Sequence, residues 1–261
     1  MTITVHGAKV YYEQHGEGKP LLMLHGWGCD VHIWDSAVRD LSATRRITVI
    51  DFPGHGQSSE PPAAWSVGEY AAMTAELIER LGLSGADIIA HSFGGRVGIL
   101  LAATRPELVG KLLFTGCAGF VAEPQRRLSA RTRLYKALRF LADNVLTRGV
   151  LGEAKVEKMR HALRMKFGSA DYRALKTDVM RATFNQVISQ DLREYLPRIM
   201  APTLLYFGEL DTATPLWMGE MMQKQIPDAG LVVAKGGTHY AFLEHYGEFL
   251  AITKHFFHIA I

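Results

Sequence analysis

Short apolar runs ending in glycine or another small residue alternate along this chain with stretches of helical period, and that alternation leaves few folds open. "KVYYEQHG", "PLLMLHG" and "ITVID" read as strands near the start, and "ADIIAHS" and "VGKLLFTG" follow. Between them, "WSVGEYAAMTAELIERLGL" carries a capping-box pattern at Ser66 and Glu69, then helical spacing up to Gly82. "FGGRVGILLAATRPE" reads as a helix stopped near Pro106. The pattern returns late in the chain. "APTLLYFGELD" and "AGLVVAKGG" read as strands, "TPLWMGEMMQKQI" as a helix with Thr214 at its N-cap and Pro215 at N1, and "HYAFLEHYGEFLAITKHFF" as one closing helix. Strands that are almost wholly apolar belong to a parallel sheet covered on both faces. The expected fold class is therefore α/β, with a mostly parallel, doubly wound sheet.

The alternation breaks between residues 120 and 189. Leu134, Leu138, Leu141 and Val145 share one helical face, as do Val156, Met159, Leu163 and Phe167. Tyr172, Leu175, Val179 and Ala182 repeat the spacing. Residues 120–189 thus read as a helical insertion, a lid over a core made of 1–119 and 190–261. Charge supports a separate character: residues 120–199 hold 17 Lys and Arg against 8 Asp and Glu, although the whole chain carries only +3. That small total gives no reason to expect nucleic acid as a partner. A basic insertion reads either as a solvated helical surface or as an attraction for anionic substrates or surfaces. Two cysteines with no CxxC, no recognisable signal peptide and no apolar run of membrane-spanning length make the expected location the cytoplasm.

Ser92 ends one strand and opens a helix, with Ala90 two before it and Gly94 two after. A sharp strand-to-helix turn needs small neighbours there and lifts the hydroxyl above the C-terminal edge of the sheet. A serine hydroxyl needs a base to act as a nucleophile. His239, in the loop after the last strand, is the candidate base. Asp211, 28 residues earlier and also at a strand end, is the candidate partner of the imidazole, with Glu209 the nearby competing carboxylate. The chain order Ser, Asp, His is a known one for this chemistry. "LLMLHGWGCD" supplies a possible oxyanion segment, in which the Trp27 and Phe93 N–H groups are two candidate donors. His25, Phe120 and Tyr240 are candidate pocket residues, with His25 also expected to orient the oxyanion loop. No cofactor or metal is called for.

"HGWG", "DFPGHGQS", "AHSFGG", "GELDTATP" and "GGTHY" occur in that order at fitting strand ends, and together they resemble the α/β-hydrolase superfamily over essentially the whole chain. The family's elbow is usually G-x-S-x-G; here Ala90 stands at the first glycine. The resemblance implies an α/β-hydrolase fold with a helical cap after strand 6. It also implies a serine hydrolase that cleaves a small-molecule acyl substrate through an acyl-enzyme, with a carboxylesterase as the default. Ser92, where other members carry Asp, argues against epoxide hydrolase and dehalogenase chemistry. Thioesterase, lactonase, amidase and carbon–carbon hydrolase activities use the same residues. A non-catalytic ligand receptor on the same fold is the alternative of another class.

Overall fold

The computed structural model describes residues 1–121, 140, 158–159, 162 and 170–259. The expected helical faces at Leu134–Val145 and at Val156–Phe167 lie almost wholly outside the described residues. Eight strands form one sheet in the order β1-β2-β4-β3-β5-β6-β7-β8. They are β1 (Thr2–Val5), β2 (Ala8–His15), β3 (Lys19–Leu24), β4 (Arg45–Ile50), β5 (Ala86–His91), β6 (Val109–Thr115), β7 (Thr203–Gly208) and β8 (Ala229–Ala234). β1 and β2 form a hairpin, β2 pairs antiparallel with β4, and every later pairing is parallel. Each strand named from the sequence is present. β1 and the helix α1 (Asp35–Leu41) were not anticipated.

All six residues of β5 are buried, because helices cover both faces of the sheet. α2 (Val67–Arg80) and α3 (Phe93–Thr104) pack on one face with Leu22, Leu24, Ile88, Leu112 and Phe114 in the core between. α1 and the C-terminal helices cover the other face over Leu21, Met23, Ile89 and Leu113. The start of α2 is the expected capping box: Ser66 Oγ accepts from Gly68 N–H, and the Glu69 carboxylate accepts from Ser66 N–H at 2.6 Å. Its end is set by Gly82, which takes φ +63°. The Gly82 and Leu83 N–H groups then close onto the Glu79 and Ile78 carbonyls, the pattern that satisfies a helix's last acceptors.

Three local expectations are corrected. α6 (Leu216–Gln225) has Pro215 at its N-cap, not at N1, and Thr214 lies before the helix with its hydroxyl on Asp211. The single closing helix is two, α7 (Ala241–Glu244) and α8 (Tyr246–Phe256), meeting at His245. The face predicted through Tyr172, Leu175, Val179 and Ala182 is split between α4 (Ala170–Ala174) and α5 (Asp178–Ser189). Thr177 restarts the helix by capping Met180 N–H, and the buried face of α5 runs instead through Met180, Thr183, Phe184 and Val187.

β3 is the point where the order reverses. The chain leaves it toward β4 on one side and, later, toward β5 on the other. Such switch points open a crevice at the C-terminal strand ends, where ligands bind in open α/β sheets.

Candidate active site

Register places Leu24 beside Ala90, so the segment after β3 and the turn after β5 leave the sheet side by side. Ser92 adopts φ +50° and ψ −107°, a conformation that L side chains rarely take. Contacts on every side hold it there. The Ser92 N–H donates to Thr115 O at 3.1 Å, and its carbonyl accepts from Gly95 and Ala118. Glycine is required close by, since a Cβ at Gly94 would stand 2.5 Å from Leu24 O and one at Gly26 only 2.8 Å from the His91 ring. Strain in a residue so firmly held is a mark of functional sites.

The loops after β7 and β8 bring two further groups over this turn. His239 Nε2 lies 3.0 Å from Ser92 Oγ, and His239 Nδ1 lies 2.8 Å from Asp211 Oδ2. The three sequence candidates are therefore linked in one chain of hydrogen bonds, and Glu209 is not part of it. Glu209 instead accepts from Gly236 N–H at the surface. The Asp211 side chain has no exposed surface. Burial pushes its carboxyl up, but the hydrogen bonds from His239 and Thr214 outweigh that and hold it below its ordinary value. Gly116 takes φ +50° against this pair; a Cβ there would meet His239 Nδ1 at 3.2 Å and Asp211 Oδ2 at 3.3 Å.

Phe93 is the first residue of α3, and first-turn N–H groups have no partner within their helix. Trp27, from the neighbouring strand end, packs its ring on Phe93 with centroids 5.3 Å apart. His25 is completely buried. Its Nδ1 donates to Gly26 O at 2.7 Å and its Nε2 accepts from Phe52 N–H at 3.0 Å, so both ring nitrogens serve the loop and neither is free for a substrate. Phe120 is also buried, stacked on Trp217 with Arg193 over its ring. Tyr240 stands at the rim, 40% exposed, its ring 5.4 Å from that of His239 and its hydroxyl 3.9 Å from Cys29 Sγ. A cavity of about 480 Å³ opens beside Trp27 and Cys29, bounded by Gly54, His55, Asp171 and Leu175.

Two roles in the site went unread in the sequence, that of Phe184 and that of Thr214 as a partner of Asp211. Phe184 of α5 packs on Trp27 at 5.1 Å, which seats that helix on the segment after β3. Asp51 braces the same region, accepting from Val31 N–H at 2.8 Å and Gln57 N–H at 2.7 Å. Thr214 caps the Asp211 carboxylate; the spacing in "DTAT" was its one available signal. Among the described residues no three His, Cys, Asp or Glu side chains converge as a metal site, and no helix is long and apolar enough to cross a membrane.

Three histidines around the site are buried without charge. Burial lowers His25 and His91 to about 3, helped by the neighbouring His55 and His239 respectively, and lowers His55 to about 4. In the unfolded chain each takes up a proton near pH 6.5. Below that pH the unfolded state binds more protons, so stability falls as pH falls, from about 6.5 down toward 4. Asp51, raised by burial, acts in the opposite sense but at lower pH. The urea midpoint at pH 6.0 is expected to report a protein about 2 kcal/mol less stable than at pH 7.5. A flat profile over that range would mean that the three rings are charged or solvated in the folded state.

The comparisons with known proteins agree with the topology. The family model described as alpha/beta hydrolase fold matches residues 19–246. A pimeloyl-[acyl-carrier protein] methyl ester esterase of Nitrosospira multiformis is 29% identical over 259 residues, covering 93% of this chain and 95% of its own. The enol-lactonase of Burkholderia xenovorans LB400 superposes with a TM-score of 0.74 at 23% identity, over 98% of this chain and 99% of its own. An esterase of Exiguobacterium antarcticum gives 0.75 at 22% identity, over 98% of each chain. With an eight-stranded sheet of this order and a family match across most of its length, the chain belongs to the alpha/beta hydrolase fold family.

Proposed function

We propose that this protein is a serine ester hydrolase that works through an acyl-enzyme, in the manner of a carboxylesterase. The hydrogen-bonded chain from Ser92 through His239 to Asp211 carries this reading. His239 Nε2 takes the Ser92 proton as Oγ attacks the ester carbonyl carbon, and the carbonyl π electrons move onto oxygen. The Trp27 and Phe93 N–H groups receive that oxyanion, an arrangement in which each donor is worth about 10²–10³ in rate. The C–O bond to the alcohol then breaks, and the alkoxide leaves with the proton held on His239. Water repeats the sequence on the acyl-enzyme and frees the acid. Asp211 holds the imidazole tautomer with Nδ1–H toward itself and offsets the imidazolium charge.

The relative named as a methyl ester esterase supports ester over amide or carbon–carbon cleavage. In this reading residues 1–119 and 190–261 are the hydrolase core, and 120–189 form a cap over the site. The seating of α5 on Trp27, and of its Met180 over Gly54, supports that placement.

A p-nitrophenyl ester series from acetate to long acyl chains, run beside a fluorophosphonate label, tests the proposal. Turnover with one chain-length optimum and a label on Ser92 is the expected result. A labelled but inactive enzyme would move the substrate class to thioesters or lactones. Neither label nor turnover would overturn the enzyme reading and favour a ligand receptor.

A further inference from the structure

We infer that Thr214 is a positioning residue for the reaction proposed above, a bridging hydroxyl that fixes the Asp211 carboxylate and shares the Nδ1 proton of His239. The inference rests on that reading of the site. Thr214 is 3% exposed, and its Oγ1 lies 2.6 Å from Asp211 Oδ2 and 3.2 Å from His239 Nδ1. A hydroxyl has one proton and two lone pairs. The carboxylate only accepts, so the Thr214 proton goes to Oδ2. The lone pairs then remain for the Nδ1–H of His239, which is shared between Oδ2 at 2.8 Å and Oγ1 at 3.2 Å.

The rest of the loop makes this arrangement rigid. Asp211 Oδ1 accepts from the Ala213 and Thr214 N–H groups at 2.8 and 2.9 Å. With Oδ1 held by backbone and Oδ2 by the hydroxyl, the carboxylate cannot turn away from the imidazole. Pro215, at φ −57°, ties the Thr214 backbone directly to the start of α6. The hydroxyl is therefore mounted on a fixed point. When His239 becomes imidazolium, two oxygens rather than one face its Nδ1–H. Both oxygens already face Nδ1–H in the resting enzyme, and their attraction for it grows once the ring carries a charge, so the difference acts on kcat.

Thr214→Val removes the hydroxyl at nearly constant shape, and Thr214→Ser keeps it. The valine variant is expected to lose about 10- to 100-fold in kcat on p-nitrophenyl esters with KM little changed, the range for a buried hydrogen bond to a charged group. The serine variant is expected to recover most of that loss. The downfield Nδ1–H resonance of His239, followed by proton NMR, should move in the valine variant and stay in place in the serine one. Thr214→Ala replaces the valine variant if that protein does not fold. A valine variant with kcat within twofold of the parent would overturn the inference. So would a serine variant as slow as valine, which would assign Thr214 to packing alone. Were the parent to turn over no ester, the proposed function would fail separately, and the resonance would still decide whether Thr214 holds the proton.

Discussion

Ser92→Ala is expected to lower kcat on p-nitrophenyl esters by about 10⁴- to 10⁶-fold while leaving the melting temperature unchanged. The loss is large because Oγ is the atom that forms the covalent bond, and no other hydroxyl of the chain lies 3.0 Å from His239 Nε2 among the described residues. Stability is kept because alanine retains the Cβ and every backbone hydrogen bond that fixes residue 92 at φ +50°. Groups that act as one unit are not additive. His239→Ala alone, and the double variant Ser92→Ala/His239→Ala, should therefore be about as slow as Ser92→Ala alone. A steady-state comparison of the three measures this. A double variant slower than either single by the product of their effects would show that Ser92 and His239 act independently, against the proposed mechanism.

The second large effect lies at the other end of β5. Asp87→Ala is expected to destabilise the fold by about 3–5 kcal/mol, because it leaves a buried cation without its partner. The Asp87 side chain has no exposed surface. Its Oδ1 accepts from Lys19 Nζ and from the Lys111 N–H, both at 2.9 Å, and its Oδ2 accepts from Arg45 Nη1 at 2.8 Å. Arg45 reaches on to the Phe257 carbonyl just beyond α8 and lies over the Phe257 ring. One carboxylate thus joins β3, β4, β5 and β6, and through Arg45 the C-terminal segment. In the variant Arg45 remains buried with only the Phe257 carbonyl to accept from it. Thermal unfolding followed by circular dichroism should show a fall of about 10 °C. Ester turnover at 20 °C should persist, since Asp87 is five residues from Ser92 along an extended strand, roughly 16 Å. A shift of less than 2 °C would mean that water reaches Arg45 once the carboxylate is gone.

These two residues also mark how far the chain could be read before its structure was known. Ser92 was legible because its signal is local: an apolar strand, small residues two before and two after, and a helical period beginning at once. The capping box of α2 was legible for the same reason. Asp87 sits in "ADIIAHS" as one polar residue in an apolar run, and nothing nearby in the chain names Lys19, Arg45 or Phe257 as its partners. Thr214 was read as a helix cap because Thr before Pro is a common helix start. The Asp211 carboxylate competes for the same hydroxyl, and a buried anion is the stronger acceptor. The face through Tyr172 and Ala182 failed because apolar spacing carried across a break that Thr177 imposes. The basic character of 120–199 remains a property of the sequence.

By itself, the sequence determined the kinds of element, their order and the chemical candidates Ser92, Asp211 and His239, because capping, periodicity and turn chemistry act over a few residues. Only the tertiary structure decided the strand order that sets β3 beside β5 and so puts the segment after Leu24 next to Ser92. It alone decided that His25 and His91 are buried uncharged and that Thr214 faces a carboxylate. Most of those outcomes depend on groups far apart in the chain, and even Thr214, three residues from Asp211, is a buried polar group that takes whichever partner the packed fold brings within about 3 Å.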